Sequence, residues 1–237
     1  LQDVRDQAGI VRSYTKMNFE LSSGKNVQQM VFRALQLALS EPKGPVYTMA
    51  SREILEEEGR DIKADLSLWP PVAPGGLDGD SPELVIDALL GAEKPLIVTS
   101  YLGRNTQSVG ELVKISERLA IPVVEMNQYT MNFPGDNSMH LGFDSHSLIK
   151  EADLILVIDS DVPWVPAIAK PKDSCRVFYI DSDPIKEHMP LWYIPSERFM
   201  KADSCAALMQ LNKCLDTKYL EIIQDVIEER RIKVTAL

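Results

Sequence analysis

The sequence predicts an α/β protein built on a doubly wound, Rossmann-like parallel sheet of five to six strands with helices on both faces. Three observations carry that prediction. Short apolar runs such as PLIVTS, DLILVI and RVFYI have no polar face, as strands buried on both sides require. Segments with helical spacing separate them, the alternation of a parallel sheet. The strands end in small or polar residues, as open α/β sheets do where ligands bind.

Taken in order, Asn26 is placed to cap a helix with Val27, Met30, Val31, Ala34, Leu35 and Ala38 on one face. EPKG then breaks it, and Pro45–Met49 reads as a strand. One helix and one strand cannot enclose a core, so this portion is expected to need neighbours. The Pro- and Gly-rich run WPPVAPGGLDGD, Trp69–Asp80, predicts a linker. Ser81 and Pro82 open a helix to Gly91 as N-cap and first-turn residue, and the strand Pro95–Ser100 follows. A helix from about Thr106 places Val109, Leu112, Val113, Ser116 and Leu119 on one face. Further strands are expected at Ile121–Glu125, Asp153–Ile158 and Arg176–Ile180, with a weaker edge strand at Ser196–Ala202 and a helix capped at Asp203 or Ser204. Lys218–Ala236 reads as a charged helical connector, with Leu220, Ile223 and Ile227 apolar and nothing evident to pack on. The domain reading is therefore 1–68, a linker at 69–80, a Rossmann-like domain at 81–216 and a connector at 217–237.

The 237 residues are 45% hydrophobic and 25% charged, an ordinary globular composition. The net charge of -10 and the lack of a Lys/Arg cluster argue against nucleic acid as a partner. No apolar run approaches the roughly 20 residues of a membrane-spanning helix. Three cysteines, Cys175, Cys205 and Cys214, lack C-x-x-C spacing, which predicts neither a disulfide framework nor a zinc site and fits the cytoplasm. The chain opens on Leu1, which suggests a piece of a longer polypeptide.

The strand tips supply one candidate site. Tyr101, Gly103, Arg104 and Asn105 follow the first strand of the second region, Asp159 follows the third and Asp181 the fourth. A glycine admits close backbone approach to a phosphate, Arg104 is the only cation read among these tips, and the helix start behind them attracts anions. An Asp after a later strand suits a ribose diol. Against a diphosphate stand four carboxylates, those of Asp159, Asp161, Asp181 and Asp183, and the lack of a G-x-G-x-x-G. His140, His146 and His188 are scattered and read as structural or solvated. Glu56–Glu58 and Glu228–Glu229 read as solvated faces, and Trp69, Trp164 and Trp192 as packing beside prolines. Nucleophile elbows and P-loops are absent, so spacing nominates no catalytic or metal-binding residue.

The ordered set RALQLALSEPKGPVYTMASRE, GAEKPLIVTSYLGRN, ERLAIPVVE, EADLILVIDSD and VFYIDSDP resembles thiamine-diphosphate-dependent enzymes of the acetolactate synthase type. The resemblance runs over about Leu1–Leu215 and implies the end of a pyrimidine-binding domain followed by the family's central domain. It implies a parent lyase or carboligase acting on 2-keto acids with thiamine diphosphate and Mg²⁺, and a homodimer or homotetramer that also contains pyrimidine- and diphosphate-binding domains. In the family an early glutamate activates the cofactor, and a G-D-G motif with a later Asn holds Mg²⁺ on its diphosphate. Neither is matched here: Gly79–Asp80–Ser81 lies in the linker, so the resemblance assigns this chain no catalytic residue and an inactive, structural role. Some branches hold FAD, ADP or coenzyme A in the central domain, and Tyr101–Asn105 and Asp181 match that site. Where acetolactate synthases carry a basic stretch, this chain has DSDVPWVP, Asp159–Pro166. The alternatives are a nucleotide-binding regulatory module, or a free-standing Rossmann-type binding protein.

Overall fold

A computed structural model describes residues 4–58, 65–219 and 224–235. The chain divides into two compact units, residues 1–74 and 75–237, with the division inside the Trp69–Asp80 loop.

The first unit contains helix α1 (Gln7–Val11), strand β1 (Met17–Leu21), helix α2 (Val27–Leu39), strand β2 (Val46–Ala50) and the short helix α3 (Arg52–Leu55). β1 and β2 pair in parallel, Met17 opposite Val46 and Leu21 opposite Ala50, with α2 as the crossover. β1 corrects the expectation of a single strand. Its sequence, MNFEL, alternates apolar and polar side chains, the period of a strand with one wet face. Asn26 precedes α2, but its side chain makes no capping bond; Ser23 instead caps a 3₁₀ turn, Gly24–Asn26, that leads into the helix. At the other end Lys16 Nζ donates to the Leu37 and Ser40 carbonyls at 2.8 and 2.7 Å, groups a helix C-terminus leaves without partners. Glu57, read as solvated, accepts the Gly24 N–H at 2.7 Å and fixes the same turn.

The second unit runs helix α4 (Ser81–Gly91), strand β3 (Pro95–Thr99), helix α5 (Thr106–Leu119), strand β4 (Val123–Glu125), helix α6 (His146–Glu151), strand β5 (Leu154–Ile158), strand β6 (Arg176–Asp181), strand β7 (Arg198–Lys201), helix α7 (Ser204–Lys218) and helix α8 (Gln224–Thr235). The five strands form one parallel sheet in the order β4-β3-β5-β6-β7, with β7 at an edge as expected. β4 is shorter than its apolar run, because Ile121 and Pro122 approach the sheet without joining the ladder; the Pro122 carbonyl accepts from the Ile97 N–H, and the Ile121 carbonyl from Ser116 Oγ. Ser81 is the first helical residue rather than the cap. It is buried, and its hydroxyl donates to Asp78 at 2.5 Å.

Neighbouring side chains along a strand point to opposite faces, and here both faces are covered. Ile97, Leu156, Ile158 and Phe178 face α4, α5 and α7, while Leu96, Ile155, Val157 and Tyr179 face α6 and the loops carrying Trp164 and Ile194. Each fully buried side chain of this kind contributes roughly 1.5–3 kcal/mol. That is why β5 is apolar throughout and β3 is apolar up to Thr99.

The connector reading is corrected for α8. Ile227 and Val234 pack on the core beneath α4 and α5, and between them lies Arg230, 4% exposed. Its guanidinium donates to the carbonyls of Leu89, Leu90, Ala92 and Leu119, the negative ends of α4 and α5. Leu220, Ile223 and Ala236 of the same stretch lie outside the described residues. Glu228 is exposed, and Glu229 pairs with Lys233. Among the described residues, no helix is long and apolar enough to cross a membrane.

Candidate functional site

The strand order reverses beside β3, which has β4 on one side and β5 on the other; the tips of β3, β5 and β6 meet at this crevice. Tyr101 and Ser100 donate their backbone N–H groups to the Asp159 carbonyl, both at 3.0 Å. Asp159 sits at φ +48°, a left-handed conformation Asp tolerates better than most residues, and turns the chain out of β5. The Ser100 and Ser160 hydroxyls then bond at 2.7 Å across the switch point.

Two linked polar clusters fill the crevice. In the first, Asp159 is fully buried and faces Arg104, with Arg104 Nη2 3.3 Å from Oδ1, while Ser204 Oγ at the start of α7 donates to Oδ2 at 2.5 Å. Burial pushes the Asp159 carboxyl up to about 6, because desolvation outweighs the pull of Arg104. In the second, Lys186 enters from the loop after β6. Its ammonium donates to Tyr101 Oη at 2.6 Å and Asp181 Oδ2 at 2.8 Å, and lies 3.0 Å from Asp161 Oδ1. Tyr101 in turn donates to Asp181 Oδ2 at 2.5 Å. Burial, and then the charge of Asp181, push the Tyr101 phenol up, so it stays protonated and keeps that donor.

The structure thus brings Tyr101, Arg104, Asp159 and Asp181 together, with other partners than a phosphate or ribose. The space beside Gly103 is taken by protein: a Cβ there would lie 1.9 Å from the Met131 carbonyl oxygen. The Gly103 N–H donates to Asn132 Oδ1 at 3.0 Å. Asn105 caps α5, accepting the Gln107 N–H at 3.1 Å. Arg104 is not the only cation at the tips: Lys186 joins it. Nothing in the periodicity marks Lys186, which reaches the crevice through a loop turn at φ +50°.

A third cluster joins the crevice at the end of β4. Glu125, 3% exposed, accepts the Asn132 backbone N–H and Nδ2 at 3.0 and 2.7 Å and lies 3.0 Å from His140 Nε2. Asn132 Nδ2 also donates to the Ser100 carbonyl at 3.0 Å, tying the loop to β3. His140 is thus hydrogen-bonded as expected, whereas Glu125 and Asn132 were not singled out by sequence. A carboxylate at the end of an otherwise apolar strand was the available signal. His146 pairs with Asp144 at the surface, and His188 is exposed. Trp164 is buried on the sheet, and Trp192 donates to the Asp161 carbonyl. Among the described residues no group of three or more His, Cys, Asp or Glu is placed to hold a metal ion.

Comparison with known proteins agrees with this architecture. Residues 83–189 match the family model described as "Thiamine pyrophosphate enzyme, central domain". The acetolactate synthase large subunit of Buchnera aphidicola subsp. Schlechtendalia chinensis is 24% identical over 209 residues, covering 78% of this chain and 36% of that protein. That of Corynebacterium glutamicum is also 24% identical, over 65% of this chain and 26% of its own length. The chain therefore spans about a third or less of these curated relatives. Among solved structures, a thiamine diphosphate-dependent 4-hydroxybenzoylformate decarboxylase of Rhodococcus jostii RHA1 superposes with a TM-score of 0.72 at 20% identity, over 90% of this chain and 42% of that one. Benzoylformate decarboxylase of Polynucleobacter necessarius gives 0.69 at 20% identity, over 84% and 38%. These two likenesses show the fold. With the family match over residues 83–189, the second unit is similar to the central domain of thiamine pyrophosphate enzymes.

Proposed function

We propose that this chain is the central part of a thiamine-diphosphate-dependent lyase or carboligase acting on 2-keto acids, acetolactate synthase-like, in which residues 1–68 close a pyrimidine-binding domain. The carrying observation is a family match confined to the second unit of a chain that spans about a third of its curated relatives. Relatives named for acetolactate synthesis and for benzoylformate decarboxylation support a 2-keto acid, since benzoylformate is one. Thiamine diphosphate supplies the carbanion sink in such reactions, held with Mg²⁺ in the parent. The role of this chain is structural: its sheet spaces the catalytic domains and contributes to contacts within a homodimer or homotetramer. Free cysteines at 175, 205 and 214 support a reducing, cytoplasmic setting.

The test compares two proteins. The longer protein containing this chain is expected to release CO₂ from pyruvate or benzoylformate with thiamine diphosphate and Mg²⁺, and the 237-residue chain to release none. Turnover by the chain alone, or none by the longer protein with any 2-keto acid, contradicts the reading.

A further inference from the structure

We propose that Lys186 is the resident occupant of the strand-tip crevice, and that this central domain holds no nucleotide diphosphate there. An ammonium has three N–H donors and no acceptor, and each donor of Lys186 faces a partner: Tyr101 Oη, Asp181 Oδ2 and Asp161 Oδ1. The side chain is 4% exposed and that of Asp181 1%, so this pair is desolvated together, while Asp161 is 32% exposed. The ammonium also lies 5.2 Å from the Tyr101 ring centroid and 6.0 Å from that of Tyr179, within cation–π range.

The residues nominated for a nucleotide, Gly103, Arg104, Asn105, Asp159 and Asp181, are already engaged within the protein. A ribose diol needs a free carboxylate oxygen. Asp181 Oδ2 accepts from Tyr101 and Lys186, and Oδ1 accepts the Asp183 N–H at 2.9 Å. A diphosphate needs backbone N–H groups and close approach. The Gly103 N–H is bonded to Asn132, the Met131 carbonyl oxygen closes the space beside the Gly103 Cα, and Asn105 uses the N–H groups of Gln107 and Ser108 at the start of α5. The balance of charge is also wrong. Asp159, Asp161, Asp181 and Asp183 stand against Arg104 and Lys186, and Arg104 is held by Asp159. Two further negative charges would meet a net negative crevice.

The groups present therefore do not fit FAD, ADP or coenzyme A. They fit a lock instead, in which one internal cation joins the tips of β3, β5 and β6 and holds the loop after β6. The inference stands on this geometry and not on the reaction of the parent.

The experiment uses the 237-residue chain and, where it can be expressed, its parent. ADP, FAD and coenzyme A are titrated separately by calorimetry and added at about 1 mM in thermal denaturation, where a ligand of micromolar Kd raises Tm by several degrees. No heat and no Tm shift are expected from any of the three. In ¹⁵N NMR the Lys186 ammonium is expected as a resolved, slowly exchanging signal. Lys186→Met is expected to lower Tm by roughly 10 °C, because it leaves Asp161 and Asp181 without their cation. Saturable heat with any of the nucleotides overturns the proposal while leaving the proposed function standing. A Lys186 ammonium that exchanges like a surface lysine overturns it as well, and this reading needs no variant to fold.

Discussion

The two units use the same β-α-β grammar with opposite results. In the second unit adjacent residues of β5, such as Leu156 and Val157, are both fully buried, because each face of the sheet has its own cover. In the first, α2 has no buried residue, and of all the described residues from 4 to 74 only Leu21 and Ser40 are buried. Val31, Leu35 and Leu39 of α2 remain 43–52% exposed. A parallel pair with one crossover helix satisfies its backbone without making a core, and stability follows cover rather than hydrogen-bonded topology.

Cutting the chain between the units exposes this difference most strongly. Residues 75–237 are expected to unfold in one cooperative urea transition, and residues 1–74 to show none by circular dichroism. A cooperative transition in the short piece would break the comparison. Single substitutions sharpen it. Phe178→Ala removes a fully buried ring between β6 and the α4, α5, α7 layer and should cost roughly 3–5 kcal/mol in urea unfolding. Leu35→Ala, on the open face of α2, should cost less than about 1 kcal/mol. Arg230→Met keeps much of the apolar stem but loses four carbonyl partners, at roughly 2–3 kcal/mol, with faster hydrogen exchange in α8 than elsewhere in the unit.

One further effect depends on pH. The Asp159 carboxyl is raised from 3.8 to about 6 by burial, so between those values the folded chain binds more protons than the unfolded chain. Asp159 therefore lowers stability progressively as pH rises from about 4 to 6, and the full cost, on the order of 2–3 kcal/mol, persists above that. Asp159→Asn removes the charge and keeps one acceptor, which can take the place of Oδ2 toward Ser204 Oγ and Arg104 Nε. It should match the parent near pH 4 and exceed it in Tm by a few degrees at pH 7; a variant less stable at pH 7 contradicts this ordering.

What sequence conveys follows the same division. β3, β5 and β6 were legible because burial on both faces writes an unbroken apolar run. β1 was missed although Met17, Phe19 and Leu21 alternate with Asn18 and Glu20, since that half-wet pattern is weaker. α8 hid its packing stripe because Arg230 lies between Ile227 and Val234 on the buried side, where a charge is ordinarily read as solvated. At the strand tips, the meeting of Tyr101, Arg104, Asp159 and Asp181 was legible because strand ends are local features. Lys186, and the pairing of Glu125 with His140 and Asn132, depend on loops closing over distances that no local period records.

The central proposal is that this chain is the scaffold between the parts of a thiamine-diphosphate enzyme, without the groups that bind the cofactor. Calorimetric titration of thiamine diphosphate with Mg²⁺ into the 237-residue chain tests it most directly. The account predicts no saturable heat. Saturable binding would place cofactor-holding groups within these residues and contradict it.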